Sequence, residues 1–496
     1  MLKKLTALGL TIFMLLSATA CSTSENNQQD TTEPSTQATE QSTQEDNQTE
    51  YEPVRSDKLV NDYGLADNIS DGAILHAWCW SFNTIKDKMK EIADAGFSTI
   101  QTSPINQCKV GEGAGMQLQD KDDSINNGKW YYHYQPTDYV IGNYQLGTKE
   151  EFEAMCKEAD KYGIKIIVDA VINHLTSDKS VISSNITNIK NPFHTMGEVN
   201  DYSDRKEVTQ GNLLGLTDLN THNEEIQQYI LKYLKECVAS GADGFRYDGT
   251  KHIELPNDDK EYASNYWNVV LNNGSLFQYG EVLQGGSDRI SQYSKLMNVT
   301  ASKYGEYLRD AVVNQDVSVG ILRDYAANGI DPSKLVTWVE SHDNYCNDGN
   351  WSLMSEKQIK QGWAMICARS GGTPLFFSRP AGASTEDQWG NNEIGKAGSD
   401  FYKSKEVAQV NKFRTAMIGE DETLSNPNDN DCVIMIERGN KGAVIVNVSD
   451  EEIKIVDAET KLKDGEYIDK VKNGKVKVKD GKLSCTIKKG ATVVIY

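Results

Sequence analysis

The sequence predicts an α/β chain built on a (β/α)8 TIM barrel, with an inserted loop domain after strand 3 and a C-terminal antiparallel β-domain. Three observations carry this. Apolar strand-like runs alternate with amphipathic helical stretches through the middle of the chain. Several of those runs end in acids, arginine or histidine, as barrel strands do where they deliver side chains to one face. From about Asp421 the helical patterns stop and only short strands follow.

Seven runs read in order as barrel strands: GAILHAWCW, GFSTIQTSP, IKIIVDAV, GADGFRYD, SLFQYGEV, KLVTWVES and TPLFFS. One more, the sixth in order, is faint near Val299 to Tyr304. Helices such as KEEFEAMCKEADKYG and EEIQQYILKYLKECVASG lie between them, and connections of that kind give right-handed parallel crossovers. Over about 175–220 an Asn- and Ser-rich stretch replaces the expected helix, placing a long loop at the functional end. SKEVAQVNKFRTAMIGE then closes a barrel spanning 66–420. The remainder, 421–496, reads as an antiparallel sandwich of alternating strands: CVIMIERG, GAVIVNV, VKVKDGKL and ATVVIY.

The N-terminus reads as an address. Lys3 and Lys4 precede an apolar run from Leu5 to Leu16, short for a membrane span and suited to the core of a signal peptide over 1–20. Ala18-Thr19-Ala20 suits ordinary cleavage, and cleavage just before Cys21 suits a bacterial lipoprotein with its lipid on that cysteine. Residues 21–65 are mostly polar and read as a disordered tether. A tether favours the anchored alternative, an extracellular lipoprotein held at the cell surface, over plain secretion.

Composition narrows the partners. A net charge of −21 and a pI near 4.9 argue against nucleic acid and leave neutral polysaccharide open. At 496 residues the chain exceeds what one core supports, so several folded units are expected. Cysteines other than Cys21 are scattered without short paired spacing, which is no disulfide framework.

The chemistry concentrates in GADGFRYDGTKH, where Arg246 and Asp248 stand two residues apart and so on one face of a strand. A buried carboxylate needs such a partner, and the pairing is expected to keep Asp248 ionised. Glu281 closes SLFQYGEV and Asp343 follows KLVTWVES, while IKIIVDAVINH ends in Asp169, Asn173 and His174. Glu281 is flanked by Tyr279, Val282 and Leu283 with no adjacent cation, so a raised pKa suited to a general acid is expected there. Three of the seven histidines, His174, His252 and His342, fall in these same segments. No H-x-x-E-H, H-E-x-x-H or C-x-x-C spacing occurs, which removes the short zinc signatures. WYYHYQPTDY places Trp130, Tyr131, Tyr132 and Tyr134 in a loop rather than in a periodic strand, an aromatic cluster that serves either core packing or a stacking surface.

VDAVINH, GFRYDGTKH, the Glu281 strand and VESHD stand in the order seen in one family, and with them the chain resembles the α-amylase family of glycoside hydrolases. HAWCWSFNTIK, QTSPINQ, YQPTDY, SDRKEVTQGNLLGL and TPLFFSRP extend the resemblance from about Ala73 to the C-terminus, closest to secreted bacillar amylases of the subtilis type. The resemblance implies endo-acting, retaining hydrolysis of α-1,4-glucosidic bonds in starch, glycogen and malto-oligosaccharides by a monomer. It implies Asp248 as nucleophile, Glu281 as general acid and then base, and Asp343 as stabiliser of the oxocarbenium-like transition state. His174 and His342 would hydrogen-bond the sugar, Arg246 would hold the nucleophile, and Lys251 would reach the leaving-group side. Tyr134 would stack beside the cleaved bond, Tyr131 one subsite further out, with Leu214 and Leu216 on the opposite wall. A structural Ca2+ is implied, held by the side chains of Asn173 and Asp218 and the carbonyls of Thr209 and His252. Thr217 departs from the proline or aromatic residue that relatives often carry before this Asp. Chloride is not implied, because Ser341 stands where chloride-activated relatives carry Asn. Two rivals share the scaffold, an α-glucan transglycosylase and an inactive glucan-binding lipoprotein; the intact acid triad speaks against the second.

Overall fold

Eight short parallel strands close into a ring, each inside or beside a run singled out above: β1 Ile74–Ala77, β2 Thr99–Thr102, β3 Lys165–Ala170, β4 Gly244–Tyr247, β5 Phe277–Gly280, β6 Asn298–Thr300, β7 Leu335–Trp338 and β8 Thr373–Phe377. Each pairs with its sequence neighbours, and β8 returns to β1. The computed structural model describes residues 62–111, 115–119 and 129–496. The predicted signal peptide, Cys21 and nearly all of the tether lie outside the described residues.

Strand alternation sorts side chains into two layers. Ile74, Ile167, Phe277, Tyr279, Val336, Trp338 and Leu375 form one buried cluster inside the ring. Their neighbours Leu75, Ile166, Val168, Phe245, Leu335 and Phe376 face outward into the core shared with the helices. Both faces are therefore buried, which is why these strands read as continuous apolar runs. Helices Phe82–Asp94, Lys149–Tyr162, Glu224–Ala239, Ser302–Val313, Glu356–Ala368 and Lys405–Ala416 surround the ring. After β4 and β5 the helix shrinks to Tyr266–Val270 and Ile290–Tyr293, which leaves little periodicity for a sequence to show. Boundaries follow local chemistry: Thr148 and Glu151 form a capping box at the start of Lys149–Tyr162. Gly163 ends that helix at φ 72°, a conformation favouring glycine.

The insertion after β3 is irregular but anchored. Its short ribbon pairs His174–Leu175 with Thr217–Asp218. Its helix Arg205–Gln210 sends Arg205 into the barrel top, where the guanidinium binds Asp258 at 2.8 Å, the Lys251 carbonyl at 2.7 Å and the Tyr293 hydroxyl at 2.7 Å. WYYHYQPTDY corrects one expectation. It is a 3-10 turn over Trp130–Tyr134 followed by the strand Pro136–Ile141, which pairs with Asn106–Cys108.

The C-terminal residues form two four-stranded antiparallel sheets. One contains β9 Glu422–Ser425, β10 Val433–Arg438, β11 Gly442–Asn447 and β16 Thr492–Ile495. The other contains β12 Ile453–Glu459, β13 Gly465–Ile468, β14 Lys475–Lys479 and β15 Lys482–Ile487. Alternation with polar residues holds for β14, whereas β10 and β11 are buried at every position. Val433, Met435, Ala443 and Ile445 face the second sheet, while Ile434, Ile436, Val444 and Val446 join the barrel's own core. Cys79, Cys108, Cys237, Cys346, Cys367, Cys432 and Cys485 stand outside any disulfide.

Candidate active site

The strand ends meet in a cleft of about 500 Å³ lined by Tyr134, His174, Asp248, Glu281, His342 and Asp343, among others. A wider hollow of about 710 Å³ lies beside Ser302–Val313, but its acids Asp310, Asp316 and Asp324 are exposed, so size alone does not locate the chemistry. β3 and β4 pair with Asp169 opposite Arg246, and β4 and β5 with Arg246 opposite Tyr279, so Arg246 points into the ring. The ladder continues past the strands: the Asp248 amide donates to the Ala170 carbonyl at 3.0 Å and the Glu281 amide to Tyr247 at 2.9 Å. Both acids are thus fixed by backbone before any side chain contact. Gly280 precedes Glu281 because a Cβ there would meet Thr250 at 2.6 Å.

One guanidinium serves three carboxylates. Arg246 Nη1 lies 2.7 Å from Asp169 and 2.8 Å from Asp248, and Nη2 lies 2.8 Å from Glu281. This corrects the expectation that Glu281 has no cation beside it. Burial pushes the Glu281 carboxyl up, but Arg246 and the Gly249 amide, which donates to it at 2.9 Å, outweigh burial and leave it lowered. Asp248 goes the other way, because burial and the repulsion of Glu281 exceed the pull of Arg246. Asp343 is raised well above the usual carboxylate range by burial and by Glu281, to which it is hydrogen-bonded. Four acids around one arginine share protons as a group. Sequence spacing showed the Arg246 and Asp248 pair; it could not show that the fork also reaches β3 and β5.

Around the acids, the expected residues fall into place unevenly. Tyr134 is buried, donates its hydroxyl to Asp169 at 2.8 Å and stacks on His342 at 5.1 Å between ring centres. His174 lies with Nε2 4.0 Å from Asp248 and 3.2 Å from the Tyr134 carbonyl. His342 Nε2 is 3.3 Å from Asp343. Tyr131, Lys251, Leu214 and Leu216 line the same cleft, and Lys251 also reaches the Leu283 carbonyl at 3.3 Å. Leu214 is 84 % exposed with φ 51°, an apolar side chain held outward on a strained backbone. Sequence reasoning missed Tyr202, Leu213, Leu283 and Asn347, which share the lining. Ser341 caps the turn beginning at His342 through a reciprocal pair with Asn344.

The four residues assigned to Ca2+ are brought together. Asn173 and Asp218 side chains approach to 3.3 Å, and the His252 ring donates to the Val208 carbonyl at 2.8 Å, setting Thr209 beside it. A Cβ built on Gly249 would touch both the His252 ring at 3.8 Å and Asn173 at 4.0 Å, so the two halves adjoin. Asn173 Oδ1 is buried without a hydrogen-bond partner, and burial raises Asp218 well above its usual range. Hard oxygens in that condition suit a hard cation, so the residues fit calcium.

Burial also holds His133 and His342 neutral, each lowered to about 3. Unfolding would return them to about 6.5, so both take up protons on unfolding as the medium acidifies. Stability is therefore fully present above about pH 6.5 and declines toward pH 3, by up to about 1.4 kcal/mol per pH unit for each histidine. His133→Phe is expected to flatten the acid side of a plot of Tm against pH. An unchanged slope would show that His133 is not held neutral by the fold.

The description "Alpha amylase, catalytic domain" fits residues 79–204. An α-amylase of Butyrivibrio fibrisolvens is 45% identical over 458 residues, covering 84% of this chain and 46% of that protein. These matches support the α-amylase family of glycoside hydrolases for this chain. An α-amylase of Clostridium acetobutylicum is 39% identical, covering 84% of this chain and 53% of the relative, so the chain spans about half the length of these two relatives. In fold it is similar to α-amylase I of Eisenia fetida, solved with maltohexaose, at a TM-score of 0.68 and 20% identity over 90% of this chain and 98% of that one. A γ-CGTase of Bacillus clarkii superposes at a TM-score of 0.66 with 18% identity, over 86% of this chain and 70% of that one. The likeness to these two structures is one of fold.

Proposed function

We propose that the chain is an endo-acting, retaining α-amylase that cleaves internal α-1,4-glucosidic bonds in starch, glycogen and malto-oligosaccharides. The observation that carries this is Arg246 gripping Asp248 and Glu281 through its two terminal nitrogens. It draws the two carboxyls together, in keeping with the separation of about 5 Å that a nucleophile and acid need for double displacement. Asp248 attacks the anomeric carbon while Glu281 protonates the departing glycosidic oxygen, leaving a sugar esterified to Asp248. Glu281 then takes a proton from water, which attacks the same carbon and frees Asp248. The acid step needs a proton on Glu281, a group the free cleft holds low. Asp343, raised and hydrogen-bonded to Glu281, is placed to pass one across as substrate displaces water. Tyr134 and Tyr131 supply stacking surface, His174 and His342 hydrogen bonds, and Leu214 and Leu216 the far lip.

The closeness of its motifs to bacillar amylases of the subtilis type and the intact triad support this reading over an inactive binding protein. Incubation with soluble starch separates it from transglycosylation, which the fold shared with a cyclising enzyme does not. Short linear products with a matching rise in reducing ends are expected; cyclic or elongated products without that rise would overturn hydrolysis.

Calcium, held by Asn173, Asp218, Thr209 and His252, would tie the insertion to β3 and β4 and so support the cleft wall. A chelator is expected to lower Tm and added Ca2+ to restore it, since an ion at about 1,000 times its Kd contributes about 4 kcal/mol. No shift in either direction would count against the site. The same reading places the enzyme outside the cell, tethered through a lipid on Cys21.

A further inference from the structure

Beside the calcium residues, three side chains converge on one point. His194, in the insertion, sets Nε2 3.4 Å from Nδ1 of His222, just ahead of the helix Glu224–Ala239. Glu254, beyond β4, brings Oε1 to 3.7 Å from the first nitrogen and 3.9 Å from the second. These atoms all lie within 4.8 Å of one another.

Each ring is oriented from behind. His222 Nε2 faces the Tyr262 carbonyl at 3.0 Å, which can only accept, so Nε2 carries the proton and Nδ1 offers its lone pair to the cluster. His194 Nδ1 is held by the Asp218 carboxyl at 2.7 Å, which turns Nε2 toward the cluster. Glu254 has no solvent exposure; Thr221 donates to its Oε2, and Oε1 is buried without a hydrogen-bond partner. Two imidazole nitrogens and an orphaned carboxyl oxygen thus face one another. A buried cluster of that kind needs a proton or a metal cation between its atoms.

We propose that His194, His222 and Glu254 form a second metal site, distinct from the calcium residues, that takes a divalent transition metal such as Zn2+. Bonds of about 2.0 Å in a tetrahedron put ligand atoms about 3.3 Å apart, close to the separations found. Imidazole nitrogens with one carboxylate select zinc-like ions over calcium, which prefers all-oxygen shells. Asp218 and the Tyr262 carbonyl are the outer partners that such histidines require. His222 is 33 % exposed, so solvent reaches the site and a water completes the fourth position. The ion would be structural, joining the insertion, a barrel helix and the β4 exit. The three ligands lie 28 and 32 residues apart along the chain, outside every short zinc signature.

The full chain, stripped with chelator and resaturated with Ca2+, is titrated with Zn2+ and separately with Co2+. Expected are one zinc per chain in addition to calcium, a rise in Tm, and the intense visible band of four-coordinate cobalt. His222→Ala and the near-isosteric Glu254→Gln are expected to weaken zinc binding about 100-fold with calcium content unchanged. Zinc binding of equal affinity in both variants would overturn the proposal. So would a wild-type protein that binds no zinc and gives no cobalt band, which would mean that a proton on the histidines balances the cluster.

Discussion

Asp248→Asn is expected to lower kcat on starch by about 10⁴-fold or more while leaving starch binding in place. The amide keeps an oxygen for Arg246 Nη1, now 2.8 Å away, and the backbone bond to Ala170 is untouched, so the cleft should hold its shape. What disappears is the nucleophile. Burial and the nearby Glu281 already make the Asp248 charge costly, and removing it should leave Tm equal or higher. Steady-state kinetics and a melting curve on one preparation check both halves. Unchanged turnover would remove Asp248 from the nucleophile's place, whereas lost turnover with a collapsed Tm would point to misfolding.

Arg246→Ala should be the most damaging single change to stability. It strands Asp169, Asp248 and Glu281 together in a buried site, and breaking buried ion pairs by removing one partner costs about 3–5 kcal/mol. Urea denaturation would measure it, and a loss below about 1 kcal/mol would show that water or protons replace the guanidinium easily. Arg246→Lys should not rescue activity, because a single ammonium cannot present a planar fork to β3, β4 and β5 at once. Freed from Arg246, Glu281 should also titrate higher, moving the alkaline limb of the kcat profile, where the general acid loses its proton, upward in pH.

Much of the barrel and the triad was legible because both leave local marks. A strand buried on two faces writes a continuous apolar run, and a charge at its end stands out against that run, as with Asp248 and Glu281. What stayed hidden depends on residues remote in sequence. Arg246 meets Asp169 across 77 positions, Arg205 meets Asp258 across 53, and His194 meets Asp218 across 24. None of these spacings has a period that a helix or strand would impose. The expectation about Glu281 failed for this reason: its flanking residues are apolar, but its cation arrives from the neighbouring strand. The Trp130 segment misled differently, since a 3-10 turn has too few residues to show periodicity.

β10 and β11 have no free face. One side belongs to the second sheet and the other to the barrel helix Glu356–Ala368 and its neighbours, where Gln361 also donates to the Asn447 carbonyl at 2.9 Å. The last 76 residues, 421–496, are therefore not a detachable module that could be trimmed or traded between enzymes. Ending translation at residue 420 would flay the barrel, baring the buried face of that helix from Gln361 to Ala368, and the shortened product would be a substrate for proteases before it was one for kinetics.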